Sequence, residues 1–156
     1  MPGVIRPLAE ADRDEWRALW DGYLDFYRAV VPEEVTRTTF ERLCTRSHGM
    51  FGLVAQGDGG LVGLVHALVH PTTWEVGPNC YLEDLFVARA ARGGGIGRAL
   101  IDAVVAEADA RGAAAVYWHT QSFNAPGRSL YDTVAQLRSW VVYEIELPGG
   151  SSGTGS

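Results

Sequence analysis

Val87-Ala88-Arg89-Ala90-Ala91-Arg92-Gly93-Gly94-Gly95-Ile96-Gly97-Arg98-Ala99-Leu100 joins an apolar strand pattern, Tyr81 to Val87, to a helical one, Ile96 to Arg111. Glycines at such a junction let the backbone turn tightly and bring its amides close to a ligand. The helix start adds unpaired N–H donors and the positive end of a dipole. Arg92 and Arg98 flank the turn and can form charge-assisted bonds to phosphate oxygens. A diphosphate suits this cradle; a sharp turn without a ligand is the competing reading of the glycines alone. No Gly-Lys-Ser/Thr follows, so the stretch is not a P-loop. It also follows four candidate strands, whereas a dinucleotide fingerprint usually follows the first.

Working outward, Val4-Ile5-Arg6-Pro7 reads as a short strand. Trp16, Leu19, Trp20, Tyr23, Leu24 and Tyr27 recur at helical spacing. Pro32-Glu33-Glu34 opens a second helix, with proline and acids where a first turn favours them. Phe51 to Ala55 and Leu61 to Val69 are strands around the turn Gly57-Asp58-Gly59-Gly60. Beyond Tyr81 to Val87 and the helix from Ile96 come a strand Ala114 to His119, a helix Ala125 to Val134 and a closing strand Trp140 to Leu147. The order predicts a mixed α/β fold, helices packed on a central sheet, in one domain over residues 1–147. Residues 148–156 have a Gly/Ser linker composition that buries nothing.

At 156 residues the chain has the size of one domain, and an apolar share of 47% is enough for a core. No apolar run spans a bilayer and no signal-peptide pattern opens the chain, so a cytoplasmic protein with no membrane partner is expected. The net charge of −6 opposes nucleic acid and mildly favours a cationic substrate. Every basic residue is arginine. Cys44 and Cys80 have no metal spacing and read as small buried apolar residues; His48, His66 and His70 likewise indicate no metal.

The spacing Arg92-x-x-Gly95-x-Gly97 after a fourth strand resembles the central motif of the GNAT acetyltransferase superfamily, and the element order agrees from Val4 to Leu147. Pro71-Thr72-Thr73-Trp74, Cys80-Tyr81-Leu82-Glu83-Asp84-Leu85-Phe86-Val87, Val116-Tyr117-Trp118-His119-Thr120 and Leu130-Tyr131-Asp132 resemble its histone, polyamine and amino-acid acetyltransferase branch. The resemblance implies a mostly antiparallel sheet that splays after the fourth strand, with acetyl-CoA as acetyl donor. It implies that the amides of Gly93, Gly94, Gly95, Ile96, Gly97 and Arg98 hold the pyrophosphate. Backbone at Leu85, Phe86 and Val87, and the Asn124 side chain, would bind the pantetheine arm. Tyr131 would sit near the thioester sulfur as general acid; its competing reading is a core tyrosine with a satisfied hydroxyl. In related enzymes the last strand pairs with or exchanges into a second subunit, so a homodimer is expected. One departure stands: the branch usually carries Gly-Phe before that strand, where this chain has Leu137-Arg138-Ser139-Trp140.

Acetyl transfer to an amine needs a neutral nucleophile, a donor to the oxyanion and a proton for the leaving thiolate. Asn124 suits a helix N-cap, and Tyr131 lies two turns further on the same face. Strict alternation puts Tyr81, Glu83, Leu85 and Val87 on one face of their strand and Leu82, Asp84 and Phe86 on the other. A carboxylate in an apolar strand is costly unless it is paired or functional. Glu83 is the first choice as base and Asp84 as amine anchor, against an ion pair with an arginine. His119 is a second candidate base, though a satisfied buried histidine is the commoner case. Tyr23, Tyr27, Trp74 and Trp118 are candidates to wall the acceptor pocket and attract an ammonium group. The function these residues predict is direct acetyl transfer to a primary amine of a small molecule, such as a polyamine, amino acid or aminoglycoside-like compound. A protein lysine or N-terminus, or a catalytically idle CoA-binding module, is the alternative.

Overall fold

The structure, a computed structural model, describes residues 3–150. In chain order it has β1 (Val4–Pro7), a 3-10 turn at Glu10–Asp12, α1 (Arg13–Tyr27), α2 (Glu33–Thr45), β2 (Met50–Gly57), β3 (Gly60–His70) and β4 (Asn79–Val87). A 3-10 turn at Arg89–Ala91, α3 (Ile96–Ala110), β5 (Val116–Tyr117) and α4 (Ala125–Val134) follow. The five strands lie in sequence order, β1-β2-β3-β4-β5. The first three pairings are antiparallel, and β4 and β5, joined through α3, are parallel.

Two apolar clusters sandwich the sheet. Phe51, Leu53, Val65, Cys80 and Leu82 meet Ile96, Leu100, Ile101 and Val104 of α3 on one face. On the other, Val54 and Leu64 meet Trp16, Leu19 and Trp20 of α1 and Phe40 and Leu43 of α2. Burying each such side chain contributes about 1.5–3 kcal/mol. Along α1, Trp16, Trp20, Tyr23 and Tyr27 form one aromatic stripe, with successive ring centroids 5.9, 5.3 and 4.9 Å apart. Arg6 grips Asp12 through two 2.8 Å bonds, which fixes the approach to α1 and holds the Asp12 carboxyl below its usual range.

Three expectations change. The strand expected over Ala114 to His119 pairs with β4 only at Val116 and Tyr117. Beyond Tyr81 the two strands part, because no further ladder holds them. Second, alternation along β4 fails at Glu83. His66 of β3 lies opposite Asp84 and Ala67 opposite Leu82, so Glu83 is the extra residue of a β-bulge. Leu82 and Leu85 therefore share the α3 face, and Asp84 and Phe86 share the α1 face. Third, Trp140–Leu147 forms no strand: residues 135–150 carry no ladder and every one of them is exposed. No helix of the described residues is long and apolar enough to cross a membrane. Of the Gly/Ser segment 148–156, residues 151–156 lie outside the described residues.

Candidate active site

The glycine-rich turn folds as its sequence requires. Gly93 and Gly95 have φ of +87° and +83°, a left-handed conformation in which a Cβ is strained, and Gly95 caps α3. Among the described residues, no acceptor meets the amides of residues 93–98. A Cβ built on Gly93 or Gly95 would touch nothing within 4 Å, so the loop is open in front. Consecutive unpaired amides at the start of a four-turn helix are the donor set an anionic diphosphate needs. Arg92 is drawn back from this concavity: its Nε donates to the Val87 carbonyl at 3.0 Å, and its guanidinium lies over Phe86 and Phe26. Arg98 is exposed on the first turn of α3.

The parting of β4 from β5 leaves the Leu85–Phe86–Val87 edge of β4 without a strand neighbour on that side. Asn124 caps α4, accepting from the Gly127 amide at 3.3 Å and donating to Thr120 Oγ1 at 3.0 Å. With Phe26, Tyr27 and Arg28 from the end of α1, and Gln121 and Phe123, it lines a cleft of about 480 Å³. Tyr131 is half-buried on α4, its ring T-shaped against Trp118 at 5.4 Å. Burial, and then the Tyr27 hydroxyl, push the Tyr131 phenol above its ordinary pKa, so it keeps its proton at neutral pH.

On the α1 face, the bulge delivers both carboxylates to a second pocket of about 210 Å³. Trp20, Val31, Val35 and Met50 give it apolar walls, and His66, Glu83, Asp84 and Thr39 supply polar atoms. Asp84 Oδ2 lies 2.9 Å from His66 Nδ1. The other ring nitrogen, Nε2, accepts from the Trp16 indole N–H at 2.9 Å. Glu83 has no hydrogen-bond partner and no arginine partner among the described residues, which disposes of the structural ion pair. Its side chain keeps contact with solvent, yet the protein around it withdraws enough water to raise its carboxyl above the usual range. The negative charge of Asp84 adds to that rise.

The remaining candidates scatter. His119 is exposed, not buried, with Nδ1 3.3 Å from the Tyr81 hydroxyl. It shares an outer wall with Tyr117, whose hydroxyl lies 2.7 Å from His70 Nε2. Trp118 points to the opposite face of the sheet, among the α3-side cluster. Trp74 is 86% exposed in the β3–β4 connection and lines neither the cleft beside Asn124 nor the carboxylate pocket. Burial, and then the charge of Asp84, push the Tyr23 and Tyr27 phenols up. Cys80 is buried and Cys44 only half-buried; burial raises both thiols, Cys44 to about 11, so neither offers a thiolate nucleophile. No cluster of metal-ligating side chains occurs among the described residues. Sequence reasoning missed His66 and Trp16. Their one signal was a histidine inside an apolar strand, which by itself cannot name its partners.

Residues 16–134 match the model of the acetyltransferase (GNAT) family. The D-amino-acid N-acetyltransferase HPA3 of Saccharomyces cerevisiae is 36% identical over 143 residues, covering 90% of this chain and 89% of that protein. Among solved structures, the ribosomal-protein-alanine N-acetyltransferase of Brucella melitensis superposes with a TM-score of 0.76 at 26% identity, over 92% of this chain and 99% of that one. The aminoglycoside acetyltransferase AAC(6')-Iy, solved with a CoA-linked bisubstrate analogue, shares the fold with a TM-score of 0.81 at 19% identity, over 92% and 97% of the two chains. With the family model matching from α1 through α4 around an open amide cradle, this chain belongs to the GNAT family and is an N-acetyltransferase that uses acetyl-CoA.

Proposed function

We propose that the chain transfers acetyl directly to the primary amine of a small molecule, with Glu83 taking the amine's proton and Tyr131 protonating the departing thiolate. The carrying observation is the β4 bulge, which turns two adjacent carboxylates into a pocket whose described lining contains no arginine. An ammonium ion is the complement of such a site, and the aromatic stripe of α1 can share in holding it. In this reading the amides of residues 93–98 hold the diphosphate, while Asn124 and the free edge of β4 hold the arm. CoA supplies an activated acyl group on a good leaving thiolate. Glu83 removes one ammonium proton, the freed lone pair forms the new C–N bond as the C–S bond breaks, and the Tyr131 phenol supplies a proton to sulfur. The second proton of the acylated nitrogen returns through solvent to the Tyr131 phenolate. A pocket of about 210 Å³ between α1 and α2 favours a small amine over a lysine within a folded protein. D-amino acids, the acceptors named for the yeast relative, are the first compounds to try.

Thiol release with acetyl-CoA against a panel of amino acids, polyamines and aminoglycosides tests the reading. Glu83→Gln should reduce kcat by about 10²–10⁴-fold, as loss of a general base does, and leave CoA affinity unchanged. A Glu83→Gln enzyme as fast as the parent removes the base assignment, and CoA binding without turnover on every amine favours an idle binding module.

We further propose that Trp140–Leu147 pairs with a second copy of the chain. Trp140 at 77%, Tyr143 at 93% and Ile145 at 86% exposure leave apolar surface uncovered on a segment of strand-forming composition. β5 meanwhile ends the sheet with an unpaired outer edge.

A further inference from the structure

We infer that Trp16 and His66 are positioning residues, which fix Asp84 as the anchor for the amine and leave Glu83 as the group that accepts its proton. The inference rests on the acetyl-transfer reading above and concerns why two adjacent carboxylates do different work.

The direction of each bond follows from chemistry. An indole nitrogen donates and cannot accept, so His66 Nε2, 2.9 Å from Trp16 Nε1, must be the bare ring nitrogen. The ring's hydrogen is then on Nδ1 and is donated to Asp84 Oδ2 at 2.9 Å. His66 is 3% exposed and held between Trp16 and Trp20, with ring centroids 5.8 and 5.3 Å away, so the ring has no room to turn over. Asp84 is thereby oriented, with Oδ2 engaged by His66 and the Tyr23 hydroxyl directed at the same carboxylate. Glu83, placed one residue earlier by the bulge, receives no such bond. An oxygen that already accepts a hydrogen bond is the weaker base, and an unbonded carboxylate beside it is the stronger.

Few ionisable groups of the described residues face the pair. β4 contributes Tyr81, with Tyr117 and His119 behind it. α1 contributes Tyr23 and Tyr27, β3 contributes His66, and α2 presents only Val35 and Thr39. No arginine of the described residues bridges either carboxylate. The carboxyl of Glu83 is therefore raised by burial first and by the charge of Asp84 second.

The test uses the full chain with an accepted amine. Nitrogen-15 NMR of the histidines should find the His66 hydrogen on Nδ1 across the pH range of activity. Trp16→Phe withdraws the donor from Nε2 and frees the ring to change tautomer, so Asp84 loses its bond; KM for the amine should rise about tenfold while kcat stays within about twofold. Asp84→Asn removes the anchor itself, raises KM for the amine about tenfold or more, and takes a negative neighbour from Glu83, which moves the acidic limb of kcat/KM toward lower pH. A role in packing alone would lower Tm and leave KM for the amine in place. A ring found with its hydrogen on Nε2 overturns the inference, as does an unchanged KM in a folded Trp16→Phe; should that variant fail to fold, the NMR of the parent decides. Failure of the proton-acceptor reading is separable: it shows in Glu83→Gln, whatever His66 does.

Discussion

Tyr131 shows how burial serves chemistry at one residue. A phenol leaving water resists ionisation, and the Tyr27 hydroxyl adds to the effect, so Tyr131 keeps the proton that the proposed reaction asks of it. Tyr131→Phe keeps the ring against Trp118 and deletes only the donor. Turnover should fall by about 10²-fold or more while CoA affinity measured by calorimetry stays within about twofold. Equal losses in both would make Tyr131 a binding group. The tyrosine, the carboxylates and Asn124 could be picked out from the sequence, since their residue types fit the chemistry and the N-cap is a local matter. His66 could not, because its partners Trp16 and Asp84 stand 50 and 18 residues away and only the packed sheet brings them together.

At the scale of an element, the β4–α3 turn and the β4 strand behaved differently under sequence reasoning. The turn is governed by short-range rules: glycine where φ is positive, and free amides where a helix begins. Gly95→Ala forces a Cβ into a conformation with φ of +83°. The cost of about 1 kcal/mol should lower Tm by about 2–4 °C and weaken CoA binding, read by scanning calorimetry and titration. Gly97 answers to a different constraint, because a Cβ there would meet the Leu130 side chain at 3.3 Å. The strand was harder. Period-2 alternation predicted opposite faces for Glu83 and Asp84, and one inserted residue placed both beside the α1-side pocket. A bulge has no sequence signature of its own here: it exists only in the register of β4 against β3, which no residue of β4 fixes alone.

For the whole molecule, the open question is what covers residues 135–147. Seven of the nine large exposed hydrophobics beyond α3 fall on this segment, the others being Tyr117 and Phe123, and the β5 edge lies free to receive a strand. Sedimentation should find a dimer, and removal of residues 138–156 should give a monomer of lower Tm. A truncated chain with unchanged mass and stability in solution would refute the exchange. Extended apolar segments seek a ladder, and within one copy this segment takes none.

What the sequence determined by itself is what neighbours along the chain can enforce: helical periodicity, caps, the glycine cradle, and hence the family and its acetyl donor. The tertiary structure decided which side each carboxylate of β4 faces, that His66 ties Trp16 to Asp84, and that β5 stops after two residues. The physical reason is reach. Backbone conformation is set by a residue and those beside it, whereas register, bulges and buried hydrogen-bond partners depend on segments that meet only once the sheet has closed.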